Sequence, residues 1–179
     1  MKKRGILYII TVILLVSIWS YFVYSFGAEH FVQVIGVTNG YLLAFFVTLF
    51  GGSSLITSIS YITVVATLAL GGLEPIKLCL ISGIGLFIGD WIYYFIARGS
   101  QKVLAGNKTI NSLAKSVNKL PPLVSSIIIY LYFSSPFPND FIIILLGLGG
   151  YSYRRLVLPL LLGDMTFISF VVYLAKLSS

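Results

Sequence analysis

The sequence predicts an all-α integral membrane protein: an N-terminal transmembrane helix, then an inverted repeat whose halves are each a re-entrant helical hairpin plus a transmembrane helix. Three observations predict it. Of 179 residues, 58% are apolar and only 9% charged, with a mean hydropathy of +1.01, whereas a soluble domain carries about 25% charge. Two apolar stretches are broken in the middle: Tyr41 to Leu70 by Gly51-Gly52-Ser53-Ser54, and Leu123 to Gly149 by Ser134-Ser135-Pro136-Phe137-Pro138-Asn139-Asp140. Finally, the basic residues gather on one side of the membrane only if each broken stretch returns to the side it entered from.

The elements follow in chain order. Residues 1–36 form a basic end, an anchor span and an external loop. Ile6 to Phe26, 21 residues, makes about 31 Å of helix and matches a hydrocarbon core of about 30 Å. Met1-Lys2-Lys3-Arg4 resembles the start of a signal peptide. The run is longer than the usual apolar region of one and carries Trp19, Tyr21 and Phe22, which favours an uncleaved anchor. Residues 37–179 make the second unit. It comprises a hairpin over 41–70, a span over 76–96, a basic loop over 98–120, a hairpin over 123–149 and a span over 156–177.

Charge decides how the broken stretches run. If Tyr41 to Leu70 crossed once, the loop with Arg98, Lys102, Lys108, Lys115 and Lys119 would lie opposite Lys2, Lys3 and Arg4, against the positive-inside rule. A re-entrant hairpin makes all of these and Arg154-Arg155 cytoplasmic, so that ten of the twelve Lys and Arg lie inside and only Lys77 and Lys176 do not. The arms Tyr41–Phe50, Leu123–Phe133 and Phe141–Gly149 have 10, 11 and 9 residues, or about 14–17 Å of helix, half a bilayer. Leu55 to Leu70, with 16 residues, is the long arm. The expected location is multi-pass in the plasma membrane with a cytoplasmic N-terminus.

The two halves echo each other in sequence. Leu70-Gly71-Gly72 follows the first hairpin and Leu148-Gly149-Gly150 the second, while Gly89-Asp90 in one span matches Gly163-Asp164 in the other. Inverted repeats with broken helices place a transport site near the midplane. Irregular backbone at that depth survives only where protein or a water-filled cavity covers it.

Several residues bear on such a site. Asp140, in the second break, is costly as a charge at mid-depth unless paired, hydrated or protonated. Asn139 or Asp140 can equally cap the half-helix that follows. The N-terminus of that half-helix would favour a lipid phosphate, and an ionised Asp140 would repel one, which points to proton or sodium coupling. Asp90 and Asp164 read either as hydrogen-bonding glue toward a facing hairpin or as site residues. Ser53, Ser54, Ser134 and Ser135 complete the candidate substrate- or ion-binding set. They have no neighbouring histidine or lysine base, so an enzyme using a serine nucleophile is not expected. Arg98, Arg154 and Arg155 end apolar runs, either as snorkelling topology markers or as phosphate-headgroup ligands.

Other features read as structural. Gly85 and Gly89 make a small-xxx-small packing pair, Trp91, Tyr93 and Tyr94 an aromatic interfacial belt, and Cys79 a buried thiol. A single cysteine excludes a disulfide framework and a cysteine metal site. Neither a cofactor nor a metal is expected. His30 receives no role. The net charge of +7 is spread over span ends and forms no base-stacking patch, so nucleic acid is not a partner; membrane lipids are, and a homo-oligomer stays open.

The run Gly83 to Gly99 with Gly89-Asp90, Tyr94 and Arg98-Gly99, followed by Pro136-Phe137-Pro138-Asn139-Asp140, Gly147 and Gly163, resembles the DedA and VTT-domain (SNARE-associated) membrane proteins. The resemblance covers roughly Gly51 to Ala175 and is most specific in the second hairpin. It implies two opposed re-entrant hairpins and movement of lipids between leaflets. In prokaryotic members the lipid is a polyprenyl-phosphate carrier; in eukaryotic ones phospholipids are scrambled. Two positions depart from many prokaryotic members: no acidic residue lies between Phe50 and Tyr61, and no arginine lies among Tyr132, Phe133, Ser134 and Ser135. The expected function is a lipid flippase or scramblase acting on a phosphate-bearing lipid. Two alternatives stay open, an ion or small-solute transporter and a non-transport membrane assembly protein.

Overall fold

The computed structural model describes residues 14, 18, 21, 28–51, 55–100, 120–137 and 139–177. Most of the expected anchor span Ile6–Phe26, most of the basic loop, and Ser53 and Ser54 therefore lie outside the described residues. Seven labelled helices and no strand occur among those that are described: α1 (Ala28–Ile35), α2 (Val37–Gly51), α3 (Leu55–Leu70), α4 (Pro75–Gly99), α5 (Pro122–Phe133), α6 (Asn139–Leu148) and α7 (Tyr153–Leu177). At 25 residues each, α4 and α7 are long and apolar enough to cross a membrane. With the composition, they make the chain an all-α membrane protein. Both exceed the expected 76–96 and 156–177, because Pro75 starts α4 at a first-turn position that needs no N–H donor and Tyr153-Arg154-Arg155 adds a turn to α7.

The chain reverses in the same way before each long helix. After α3, Leu73 N–H donates to Leu68 O (3.3 Å) and Gly72 N–H to Ala69 O (3.3 Å); after α6, Tyr151 N–H donates to Leu146 O (3.0 Å) and Gly150 N–H to Gly147 O (3.1 Å). These are paired Schellman closures, and each places a glycine at positive φ, 92° for Gly72 and 67° for Gly150, where a Cβ would be strained. The apolar residue that follows, Leu73 or Tyr151, is buried. Side chains then pin each reversal. The Tyr41 hydroxyl accepts from Glu74 N–H at 3.1 Å. The Tyr151 carbonyl accepts from the Tyr94 hydroxyl and from Arg98 Nη1, the latter at 3.1 Å. Tyr151 Oη also lies 2.7 Å from Ser125 Oγ.

Helix packing is fixed by glycines that let backbones touch. On α4, Gly85 faces Phe45 O and Thr48, and Gly89 faces Leu49 O, so α2 runs parallel to α4. Gly147 of α6 meets Tyr94 O and Ala97 while Asn139, at the start of α6, meets Asp90, so α6 too runs parallel to α4. Gly163 of α7 meets Phe133 and Tyr130 O of α5, while Gly83 of α4 meets Met165 of α7. The small-xxx-small pair thus packs, as its spacing predicts. The first arm of each broken stretch lies on the long helix that follows it, α2 on α4 and α5 on α7. The second arm lies on the other long helix, α3 on α7 and α6 on α4.

Two buried clusters result. One joins Tyr61, Val65 and Leu68 of α3 to Leu78 and Leu86 of α4 and to Phe167, Ile168 and Val172 of α7. The other joins Ile129 and Phe133 of α5 with Ile143 and Leu146 of α6 to Tyr94 of α4 and to Leu156 and Leu160 of α7. Tyr94 is thereby corrected: expected in an interfacial belt, it is fully buried with its hydroxyl on a turn carbonyl, whereas Trp91 of the same trio is exposed.

Candidate functional site

On α4 the residues Leu78, Ser82, Leu86, Asp90 and Tyr94 recur every fourth position, and all five are completely buried. On α7 the same holds for Leu156, Leu160, Asp164, Ile168 and Val172. Spacing by four keeps a stripe on one helix face, so each long helix turns one carboxylate inward among apolar neighbours. Asp90 falls between Leu86 of the first cluster and Tyr94 of the second; Asp164 falls between Leu160 of the second and Phe167 of the first. Both acids therefore stand at the seam between the two half-cores.

The local partners differ. Asp90 Oδ2 accepts a hydrogen bond from Asn139 Nδ2 at 3.2 Å, so the first turn of α6 reaches the acid of α4. Neither carboxylate oxygen of Asp164 has a hydrogen-bond partner among the described residues, and neither has the Asn139 carbonyl oxygen. Around the two acids the backbone is close-packed. Gly89, next to Asp90, rests on Leu49 near the end of α2, and Gly163, next to Asp164, rests on Phe133 at the end of α5. Each acid is thus held at the level where a first arm stops.

Other expected site residues fall into place around this centre. Asn139 begins α6, so Asn139 and Asp140 lie in the first helical turn instead of preceding it at Phe141. The Asp140 side chain lies outside what is described, as do Ser53 and Ser54. Ser134 Oγ donates to Tyr130 O at 2.8 Å and Ser135 Oγ to Tyr132 O at 2.5 Å, which ties both hydroxyls to their own helix end. Arg98 is half-buried and bonded to Tyr94 and to the Tyr151 carbonyl, an anchor for the α6–α7 turn. Arg154 and Arg155 are exposed and line a cavity of about 310 Å³ with Ser126, Ile127, Tyr130, Leu158, Pro159 and Leu162. No group of three or more His, Cys, Asp or Glu placed to hold a metal occurs among the described residues.

Ser82 is the residue that sequence reasoning passed over. Its hydroxyl is buried and without a hydrogen-bond partner among the described residues. It stands eight positions before Asp90, the spacing that would have placed it on the same face.

A second cavity, about 590 Å³, runs between α3 and α7 and is lined by apolar residues including Ile62, Ala66, Phe170 and Leu174. Pro136 of the second break and Phe167, three residues beyond Asp164, also line it.

Fold and site together define an all-α membrane protein with one buried carboxylate on each of two long helices. Comparison with protein-family models, with curated proteins and with solved structures found no match to this chain.

Proposed function

We propose that the chain is a membrane transporter of the inverted-repeat type, moving a phosphate-bearing lipid between leaflets as a DedA/VTT-like flippase or scramblase with ion coupling. The observation that carries this reading is the seam: an acid from each long helix, completely buried, where the two half-cores meet. The exchange of second arms between the long helices, the matched Schellman turns and the matched Gly-Asp pairs support an inverted repeat, whose site belongs at such a seam. The apolar cavity between α3 and α7 suits an acyl chain, and the cavity rimmed by Arg154 and Arg155 suits a headgroup phosphate.

The test is reconstitution into liposomes with a fluorescent phospholipid or polyprenyl phosphate in one leaflet, followed by a membrane-impermeant quencher. Protein-containing vesicles should equilibrate the probe while empty ones do not. Asp90→Asn should slow that equilibration tenfold or more, about 1.4 kcal/mol of barrier. Wild-type lipid movement in the folded variant would remove Asp90 from the transport path.

One observation favours a second reading, a cation transporter. Among the described residues the seam presents two acids and an amide and no cationic side chain that could receive a phosphate. Cation flux measured in the same vesicles decides between the two: flux without lipid movement selects the second.

Re-entrant hairpins make a separate prediction about sidedness. Cysteines introduced in the 98–120 loop and at the exposed Ser152 should both be protected from an impermeant thiol reagent in intact cells, while one at Glu29 should react. Labelling of the 98–120 loop from outside would mean that Tyr41 to Leu70 crosses the membrane.

A further inference from the structure

We propose that Asp164, at the seam it shares with Asp90, is a proton-binding site, and that the closed arrangement carries a proton on Asp164. Its service as the coupling site rests on the transport reading; the protonation itself does not.

Four observations converge on it. Asp164 is completely buried and neither of its oxygens meets a donor among the described residues. An ionised carboxylate so placed would be out of water and would receive no hydrogen bond from any described residue to hold its charge. Asp90 is the better holder of a negative charge, because the Asn139 amide donates to it and hydrogen bonds to a carboxylate favour its charged form. Both acids are also completely buried at the seam between the half-cores, and two negative charges in a site closed to solvent disfavour one another. The unpartnered member is therefore the one that takes the proton.

No described side chain provides the charge otherwise. On α4 the cations stand at the ends: Lys77 is paired with Glu74 at 2.5 Å, and Arg98 is bonded to Tyr94 and the Tyr151 carbonyl. On α7, Arg155 and Lys176 lie nine and twelve residues from Asp164, about 14 and 18 Å along the helix. The titratable side chains of the arms packed against the pair are tyrosines, Tyr61 on α3 and Tyr130 and Tyr132 on α5. To these α6 adds Asp140, whose side chain is outside the description, and α2 adds Tyr41 at its far end.

A metal ion fits less well than a proton. A bare hard cation asks for several oxygen ligands at once. Among the described residues no group of three or more His, Cys, Asp or Glu is placed to hold one, and Gly163 on Phe133 closes the backbone beside Asp164. A proton needs no such shell. Its loss would leave two charges at the seam, a reason for the half-cores to part and admit water.

Infrared spectroscopy of the full-length protein in lipid nanodiscs tests this. At neutral pH, in sodium-free buffer, the wild type should show a carboxylic-acid C=O band that Asp164→Asn deletes and Asp140→Asn leaves in place. Asp164→Glu, a second variant in case the first does not fold, should shift the band and not delete it. Absence of a protonated carboxyl at neutral pH, or a band unchanged in both Asp164 variants, overturns the assignment. So does a sodium-specific rise in melting temperature, absent with potassium, that Asp164→Asn abolishes, since the occupant would then be sodium. If the band behaves as expected while vesicles show no lipid movement, the proton site stands and the lipid reading falls.

Discussion

Gly89→Val should prevent α2 from seating on α4 and leave the protein largely unfolded in mild denaturant. A Cβ at this position would press on the backbone carbonyl oxygen of Leu49 and lie 3.2 Å from its carbonyl carbon. Backbone inside a helix cannot swing aside as the tip of a side chain can, so the two helices must separate. Overpacking generally costs about 1–3 kcal/mol, and contact with backbone puts this substitution at about 3 kcal/mol or above. Asp90 is the next residue, and the shift would carry its carboxylate away from Asn139. Unfolding in mixed micelles with increasing SDS measures the loss. Gly99→Val is the control: nothing lies within 4 Å of a Cβ there, and an exposed change of this kind stays within about 0.5 kcal/mol. Equal stability of the two variants would mean that α2 does not pack on α4 as described.

Phe133→Ala should be the second most damaging change. The ring is fully buried in the cluster of Tyr94, Ile129, Ile143, Leu146 and Leu160, and the residue supports Gly163 at the end of α5. In a water-soluble protein such a truncation costs about 3–5 kcal/mol. Helices unfolded within a bilayer remain in an apolar solvent, so the transfer part of that cost shrinks and the lost packing remains. A void of roughly 100 Å³ at about 24 cal/mol per Å³ corresponds to about 2.4 kcal/mol. The same micelle titration reads it, with the exposed Phe137→Ala expected near zero. Gly163 rests on the Cβ and backbone of Phe133, which alanine keeps, so the loss should be confined to the void left by the ring. A variant of normal stability would show that the second cluster is not close-packed around Phe133.

The first substitution acts at a position that the sequence marks and the packing explains. Gly85, Gly89 and Gly163 are conspicuous in apolar runs, and close helix approach is the physical use for glycine there. Which helix approaches is not written in the run. α4 and α7 are apolar nearly all round, so their hydrophobic pattern has no single preferred face. Arg98 shows the same limit. At the end of an apolar run it reads as a marker of the interface, yet its guanidinium turns inward to the Tyr151 carbonyl, a partner 53 residues away. Tyr94 has the same carbonyl as its reason for being inside.

By itself the sequence determined the class and the ingredients: an all-α membrane protein, two long spans, paired Leu-Gly-Gly turns, and one Gly-Asp in each span. These follow from composition, from helix length against bilayer thickness, and from glycine's access to positive φ, all of them local properties of the chain. Only the tertiary structure decided that Asp90 and Asp164 share one seam, that Asn139 serves Asp90, and that Asp164 receives no hydrogen bond among the described residues. A carboxylate's state is set by what desolvates it and what donates to it. In this fold those groups come from helices far apart in the chain, brought together by backbone contacts at glycine.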